Sequence, residues 1–451
     1  TRTGLRARPF FRGCETVRLR ELIDQGPLSG LQFRVSALCC VINMIDGLDV
    51  LAISFAAPPI ATEWELKATA LGGVFSAGLV GMAIGSMFIA PLTDRIGRRA
   101  MILASLIAIG LAMVATGTVR TVNELLLARL VTGLGIGAIL ASLTSMVAEY
   151  TPDRHRNLTV SILQAGYPIG GTVGGFVAAW IIPELGWRSI FFVGAGLSLA
   201  MVPLVFWALP ESLQFLDQKR PANALARVNA ILARMRRPAL AELGAPSSTA
   251  EPSRVSTLLT PARRANTLKL WLAFMLNSLA VYFVLSWVPK IVVDAGLPLE
   301  QGIWAGIMVN AGAVVGIVAL GYLSGARGLR PLIFGFLLTG AVALVVFGFL
   351  PAIVPALLVV GFLIGFFVMG GYIGLYSVAA RIYPTEVRTT GIGWTIGVGR
   401  FGSIVGPYLG GILIALEWST GPRFVTFAVP LVIAAFAALA ISARELAPPR
   451  N

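Results

Sequence analysis

The chain has 451 residues, of which 57% are hydrophobic and only 12% charged, with a mean hydropathy of +0.84. Those proportions exclude a set of soluble domains and point to a helical protein that crosses a membrane many times. The formal charge of +14 raises the question of a nucleic-acid partner, and the placement of the charges answers it in the negative.

Residues 1–32 are rich in arginine and run straight into an apolar span with no small-residue cleavage site, so they are expected to form a cytoplasmic tail and not a signal peptide. Apolar runs near the ~20 residues a bilayer requires follow at roughly 33–60, 69–91, 100–118, 124–148, 158–182 and 188–209. After a polar break they resume at roughly 268–289, 301–324, 331–350, 354–380, 388–415 and 421–442. The expected fold is all-α and integral to the membrane: a six-helix bundle (33–209), a central loop (210–267), a second six-helix bundle (268–442) and a short tail (443–451). Within the loop, residues 222–237 read as a basic amphipathic helix lying on the inner membrane face, and residues 244–249 as a flexible patch.

Twenty-six of the 35 Lys and Arg fall in the termini and in alternate loops, against Lys67, Arg120, Arg188, Lys290 and Arg423 in the opposite loops. That asymmetry predicts both termini in the cytoplasm and assigns the basic excess to membrane orientation, not to nucleic acid. Cys14, Cys39 and Cys40 offer no disulfide framework, and the single histidine, His155, lies in a basic turn. No metal-ligand cluster, nucleophile–base pair or phosphate loop is present, so neither an enzyme nor a metal site is expected.

The two halves repeat. Gly133, Pro152, Arg156, Gly170 and Gly174 recur at one constant offset as Gly365, Pro384, Arg388, Gly402 and Gly406. Duplicated six-helix halves carry their site near mid-membrane between them. Glycines every fourth residue in the fifth span (Gly166, Gly170, Gly174) and the eleventh (Gly402, Gly406, Gly410) predict close helix packing.

The chemistry concentrates in the first span, where Asn43, Asp46 and Asp49 recur at helical spacing on one face. An acid at the bilayer centre costs roughly 2.5–3.5 kcal/mol, so a pair persists only where a proton, a cation or a water-filled path offsets it. The alternatives are a buried polar pair that merely fixes packing and a transport site, and we favour the second. The deep cations are Arg129 and Arg400. Arg400 is the expected anchor for a substrate carboxylate, which a guanidinium can take bidentately; the competing reading is a standing salt bridge to Asp46 or Asp49. Arg129 is expected either to restrain the acid pair or to bond backbone carbonyls of a neighbouring helix. Gln164, Asn277, Tyr282, Asn310, Tyr376 and Trp394 could supply stacking faces and polar points to an apolar slot, or serve only packing. Trp287 and Trp304 are assigned to the interfacial belt.

The loop after the second span reads Ala90-Pro91-Leu92-Thr93-Asp94-Arg95-Ile96-Gly97-Arg98-Arg99, and its counterpart in the second half keeps Gly321 but loses the acid. The fourth span carries Arg129, Gly133, Gly135 and Gly137; Pro210-Glu211-Ser212 ends the sixth, and Tyr383-Pro384-Thr385-Glu386-Val387-Arg388 precedes the eleventh. Taken together these resemble the signatures of the major facilitator superfamily over nearly the whole chain, with Ala90 where a glycine is expected. Asp46-Gly47-Leu48-Asp49 is similar to the Asp-Gly-x-Asp signature of the aromatic acid:proton symporters. That resemblance implies uptake of benzoate-like anions with protons across a bacterial inner membrane; a monomer with no cofactor other than the coupling proton is expected. It also implies a cytoplasmic gate formed by Asp94, Arg95, Arg98, Arg99, Glu149 and Arg388. Asp94 should approach the start of the eleventh helix near residues 389–391, and Arg98 or Arg99 should meet Glu149. For coupling, substrate drawing Arg400 away from Asp46 and Asp49 would let the pair take up a proton, and Asp49 is the preferred carrier. The alternatives are another organic anion or a sugar, a drug:proton antiporter, and a nutrient sensor that no longer transports.

Overall fold

The computed structural model describes residues 19–24, 27–243, 255–261, 263–383 and 387–442, and for residues 157, 325–327, 388 and 389 the backbone only. Cys14, residues 244–249, the tail 443–451 and the side chain of Arg388 therefore lie outside the described residues. Among the described residues all regular structure is helical, and twelve helices are long and apolar enough to cross a membrane. The first half holds α1 (Gly30–Glu63), α2 (Ala68–Ile96), α3 (Arg98–Thr118), α4 (Val122–Tyr150), α5 (Asp153–Leu185) and α6 (Arg188–Ala208). In the second half follow α7 (Arg264–Asp294), α8 (Leu299–Ser324), α9 (Leu329–Phe349), α10 (Val354–Ile382), α11 (Thr390–Ala415) and α12 (Thr420–Leu439).

Local chemistry sets where α1 begins. Ser29 caps it reciprocally: the Gln32 backbone N–H donates to Ser29 Oγ at 3.3 Å while the Ser29 N–H donates to Gln32 Oε1 at 2.8 Å. The Gln32 amide also donates to the Tyr150 carbonyl at 2.9 Å, tying the start of α1 to the end of α4. The internal repeat appears as a repeated contact. Gly170 of α5 packs on the Met44 carbonyl of α1, and its counterpart Gly402 of α11 packs on the Met275 carbonyl of α7. A methyl group at either position would collide with backbone, so each half uses glycine to bring the same two helices together.

The halves meet at one end and part at the other. At the end away from the termini, α2 lies against α11: Ser76 Oγ donates to the Ile404 carbonyl at 2.8 Å, and a Cβ on Gly72 would sit 3.0 Å from the Pro407 carbonyl. Trp287 belongs to this seam and not to an interfacial belt. Its ring is fully buried, its Nε1 donates to the Pro407 carbonyl at 2.8 Å, and Phe75 of the other half meets it edge-on at 5.2 Å. Trp304, by contrast, is only half-buried: it meets the exposed Phe176 of α5 edge-on at 5.4 Å, and its Nε1 donates to Glu300 Oε1 at 3.3 Å near the end of α8. Toward the arginine-rich end the halves diverge around a cavity of about 1750 Å³, with Met87, Thr144 and Arg156 on one wall and Arg330, Arg381 and Gly393 on the other.

The central loop differs from the expected single surface helix. It forms two helices, Leu213–Lys219 and Ala224–Arg234, broken where Arg220 and Asn223 take positive φ. The apolar face of the second, Val228, Ile231 and Leu232, is buried against protein, so it is a packing surface and not a membrane-lying one. The first of the two helices packs on the second, so that stripe is turned to protein and not to lipid.

Candidate functional site

Where the cavity narrows at mid-membrane it ends in a recess of about 90 Å³ enclosed by both halves. Asn43 and Asp46 of α1 and Gln164 and Tyr167 of α5 supply one side; Tyr282 of α7, Tyr372 and Tyr376 of α10 and Arg400 of α11 supply the other. Between them the walls are apolar, formed by residues such as Met82, Ile136, Val281, Leu285, Ile317 and Met369.

Helix α1 reaches this depth because Gly47 admits the Tyr167 carbonyl of α5 against its Cα, where a side chain would collide. The glycine between the two acids thus fixes the approach that places Tyr167 beside Asp46. A bond from Asn43 Nδ2 to the Leu163 carbonyl, at 2.6 Å, pins the same pair of helices. The acids themselves part company. Asp46 faces the recess, whereas Asp49 turns into the first half, where Ser198 Oγ of α6 donates to its Oδ2 at 3.2 Å and its Oδ1 rests on Gly194. Three residues of helix separate their directions enough to give them different neighbours, so the single shared face expected from spacing is a divided one.

Arg129 is buried and makes no ion pair with the Asp49 carboxylate; its Nη2 donates to the Asp49 backbone carbonyl at 3.0 Å, and its guanidinium lies 6.0 Å above the Phe191 ring. It holds the backbone that presents the acids. Arg400 Nη1 donates to Tyr282 Oη at 3.4 Å, and among the described residues no ion pair joins it to either aspartate. Three buried polar atoms of recess-lining residues have no hydrogen-bond partner among the described residues: Asp46 Oδ2, Tyr167 Oη and Arg400 Nε. Leaving such groups unpaired costs about 1–3 kcal/mol each, which marks the recess as a place built for something other than packing.

The model of the Major Facilitator Superfamily matches residues 39–353 and 300–451. The chain belongs to the major facilitator superfamily. It is 34% identical to the gallate transporter of Pseudomonas putida, with 94% of this chain and 95% of that protein covered. To the 4-hydroxybenzoate transporter PcaK of Pseudomonas aeruginosa it is 33% identical, covering 96% and 97%. Among solved structures it resembles the inward open xylose transporter XylE from E. coli, with a TM-score of 0.70 at 17% identity, covering 91% of this chain and 96% of that one. A bacterial homologue of the human lysosomal transporter Spinster gives a TM-score of 0.71 at 16% identity, covering 93% and 99%. Like the rest of the superfamily, it is a multi-pass membrane transporter and not an enzyme.

The remaining candidates divide. Gln164, Tyr282, Tyr376 and Arg400 line the recess of this superfamily member, and Asn277, Asn310 and Trp394 do not. Trp394 is 43% exposed and stacks on the half-buried Trp271 at 5.9 Å, away from the recess. Asn310 donates to the Gly306 carbonyl of its own helix at 2.9 Å and packs toward Gly171 of α5 at the seam between halves. Asn277 is fully buried away from the cavity lining. Tyr167, Tyr372 and Ser198 were missed by the sequence reading. A usable signal existed, since the chain has only eight tyrosines and four of them surround Arg400.

At the arginine-rich end, Arg98 forms an ion pair with Glu149, which also accepts from Ser212 Oγ at 2.6 Å. Beside it Glu211 Oε1 accepts from the Arg99 N–H at 3.0 Å and the Ser212 N–H at 2.9 Å. Gly97 makes this possible twice over: its φ is +96°, and a Cβ there would lie 2.6 Å from Glu211 Oε2. Arg95 and Asp94 are exposed. Asp94 makes no hydrogen bond or ion pair among the described residues, and the expected approach to the start of α11 is absent in this conformation. The reason is geometric: Ser86 and Met87 of α2 and Ile392 and Gly393 of α11 face each other across the open cavity.

Proposed function

We propose that the chain is a proton-coupled symporter that imports aromatic carboxylates by alternating access, in a bacterial inner membrane with both termini in the cytoplasm. The observation that carries this reading is the recess itself: an arginine from one half and an aspartate from the other share it without pairing. Its dimensions, tyrosine faces and apolar walls suit a flat ring with one anionic group. The names of the relatives, transporters of gallate and of 4-hydroxybenzoate, support the same class.

Arginine asymmetry makes the open end cytoplasmic, so the conformation is one that releases substrate inward. Arg156, Arg330 and Arg381 on the cavity walls give an anion a cationic path. Charge balance supplies the coupling. In the loaded recess the substrate carboxylate neutralises Arg400, and a proton on Asp46 or Asp49 leaves no net charge behind. In the empty one, Arg400 is balanced by an ionised aspartate. Both states cross the low-dielectric core neutral, whereas substrate without a proton, or a proton without substrate, does not. Asp49, enclosed by α4 and α6, can hold a proton apart from the substrate.

Proteoliposomes containing the purified protein should accumulate labelled 4-hydroxybenzoate only with an inward proton gradient. Asp49→Asn should bind substrate yet fail to concentrate it. Gradient-driven accumulation by Asp49→Asn equal to the parent's would refute the coupling assignment, and uptake indifferent to the gradient in the parent would refute symport.

A further inference from the structure

Beyond the recess, toward the sealed end, lies a second and smaller cavity of about 20 Å³, large enough for one water molecule and too small for an aromatic acid. Tyr167 and Tyr282 border both spaces, while Ser54, Gly78, Arg129 and Ser286 border the smaller one. Two of these residues carry buried polar atoms with no hydrogen-bond partner among the described residues, Arg129 Nε and Tyr167 Oη. The rest of the Arg129 guanidinium is engaged: Nη2 donates to the Asp49 carbonyl at 3.0 Å, and Nη1 lies 3.5 Å from Met113 Sδ. Gly78 is what leaves room here. Gly81, Gly133 and Gly137 bring α2 and α4 together, since a Cβ on any of them would run into backbone of the facing helix. A Cβ on Gly78 would instead meet Arg129, at 3.7 Å from its carbonyl oxygen and 3.9 Å from Nη2, which is ordinary contact. The packing of α2 on α4 does not require glycine at 78; space beside Arg129 does.

We infer that a water molecule sits in this cavity and joins Arg129 Nε to the Tyr167 hydroxyl, making Tyr167 the positioning residue that connects the substrate recess to the Arg129–Asp49 pair. This rests on the reading of the protein as a proton-coupled symporter of aromatic acids. With an anion in the recess the chain runs in one sense: Tyr167 O–H donates toward the anion, the water donates to the Tyr167 oxygen, and Arg129 Nε–H donates to the water. Hydrogen bonds aligned in this way polarise one another, and more strongly where bulk solvent is shut out. The positive charge of Arg129 is drawn toward the recess, and a proton from solvent adds to an Asp49 carboxylate oxygen in answer. Without the anion, Tyr167 O–H turns back to the water, and Asp49 is left ionised beside Arg129. Among the described residues the charged groups around the Asp49 carboxylate are Arg129 of α4 and Asp46 of its own helix; α3 presents Met113, and α6 presents Gly194 and Ser198. From α5 comes Tyr167, which acts through Arg129.

The test is the pH dependence of 4-hydroxybenzoate affinity, measured by equilibrium binding to the purified full-length protein, in the parent, Gly78→Ala and Tyr167→Phe. Where the unliganded protein is deprotonated, taking up one proton with each substrate makes affinity fall about tenfold per pH unit. The parent should approach that slope, and both variants should fall less than about threefold per unit over the same range. At the acid end, where the proton is already bound, Gly78→Ala should bind within about twofold of the parent, which also shows it folded. A parental slope in either variant overturns the water link and leaves symport standing. So does a folded Gly78→Ala protein that loses affinity equally at every pH, because the cavity would then serve only the fit of the recess. Should Gly78→Ala fail to fold, Tyr167→Phe, which removes one oxygen and adds nothing, decides by its own slope. A parent whose affinity ignores pH overturns the symport reading and the link with it.

Discussion

Gly411 offers a direct way to move the transporter between its conformations. It sits on α11 where α2 crosses at the sealed end, and a Cβ there would lie 2.6 Å from the Ala68 carbonyl and 3.3 Å from the Gly72 Cα. Ordinary contact begins near 3.4 Å, so Gly411→Ala requires the two helices to separate by about 0.8 Å. Both atoms met are backbone, and neither can rotate aside. Overpacking of this kind costs about 1–3 kcal/mol. The cost falls only on the state in which the halves touch at this end, because opening removes the contact. The equilibrium should therefore shift toward the opposite opening by roughly five- to 150-fold. Gly72→Ala, whose Cβ would be 3.0 Å from the Pro407 carbonyl, should do the same more weakly. Spin labels at the exposed positions Lys67 and Glu417, on the outer ends flanking this seam, would report the separation by double electron–electron resonance in a background without native cysteines. Gly411→Ala should add or enrich a longer-distance population that Gly72→Ala enriches less. An unchanged distance distribution in Gly411→Ala, with the protein folded, would refute the assignment of the α2–α11 seam as the element that opens.

Arg400→Lys keeps the charge but loses the planar fork, and should weaken aromatic-acid binding by tenfold or more in the same assay used for the parent; undiminished affinity would remove Arg400 from the site. Arg98→Ala leaves Glu149 with a charge that is only slightly exposed and no cation, and should cost about 3 kcal/mol of stability, visible as a lowered unfolding temperature. Substrate affinity should change little, since that ion pair lies at the end of the helices and not in the recess. Ser76→Ala removes a single bond across the seam, worth about 1 kcal/mol, and should raise the open population in the spin-label experiment by roughly fivefold.

Much of the site was legible from charge and spacing. Asp46, Asp49, Arg129 and Arg400 stand out because ionisable side chains are expensive where lipid surrounds the helix, so their presence alone announces a purpose. Spacing could not say that Asp46 and Asp49 have different neighbours, because the direction of each side chain depends on where α5 and α6 lie around α1. Nor could it separate Gln164 and Tyr376, which reach the cavity, from Asn277 and Trp394, which do not: mid-span polar and aromatic residues look alike until the helices are arranged. Trp287 was misassigned for the same reason, since a tryptophan near a helix end can face lipid or the other half of the protein.

By itself the sequence determined the number and order of the membrane spans, the duplicated halves and the chemical types in the site. Bilayer thickness and the cost of buried charge act on each segment separately and leave their mark in composition. The tertiary structure decided which end is sealed, which polar atoms are left unpaired in the recess, and that the central loop folds against the first half. Those properties arise between helices distant in the chain, where glycine contacts such as Gly47 on Tyr167 and Gly411 on Ala68 set distances that no local pattern encodes.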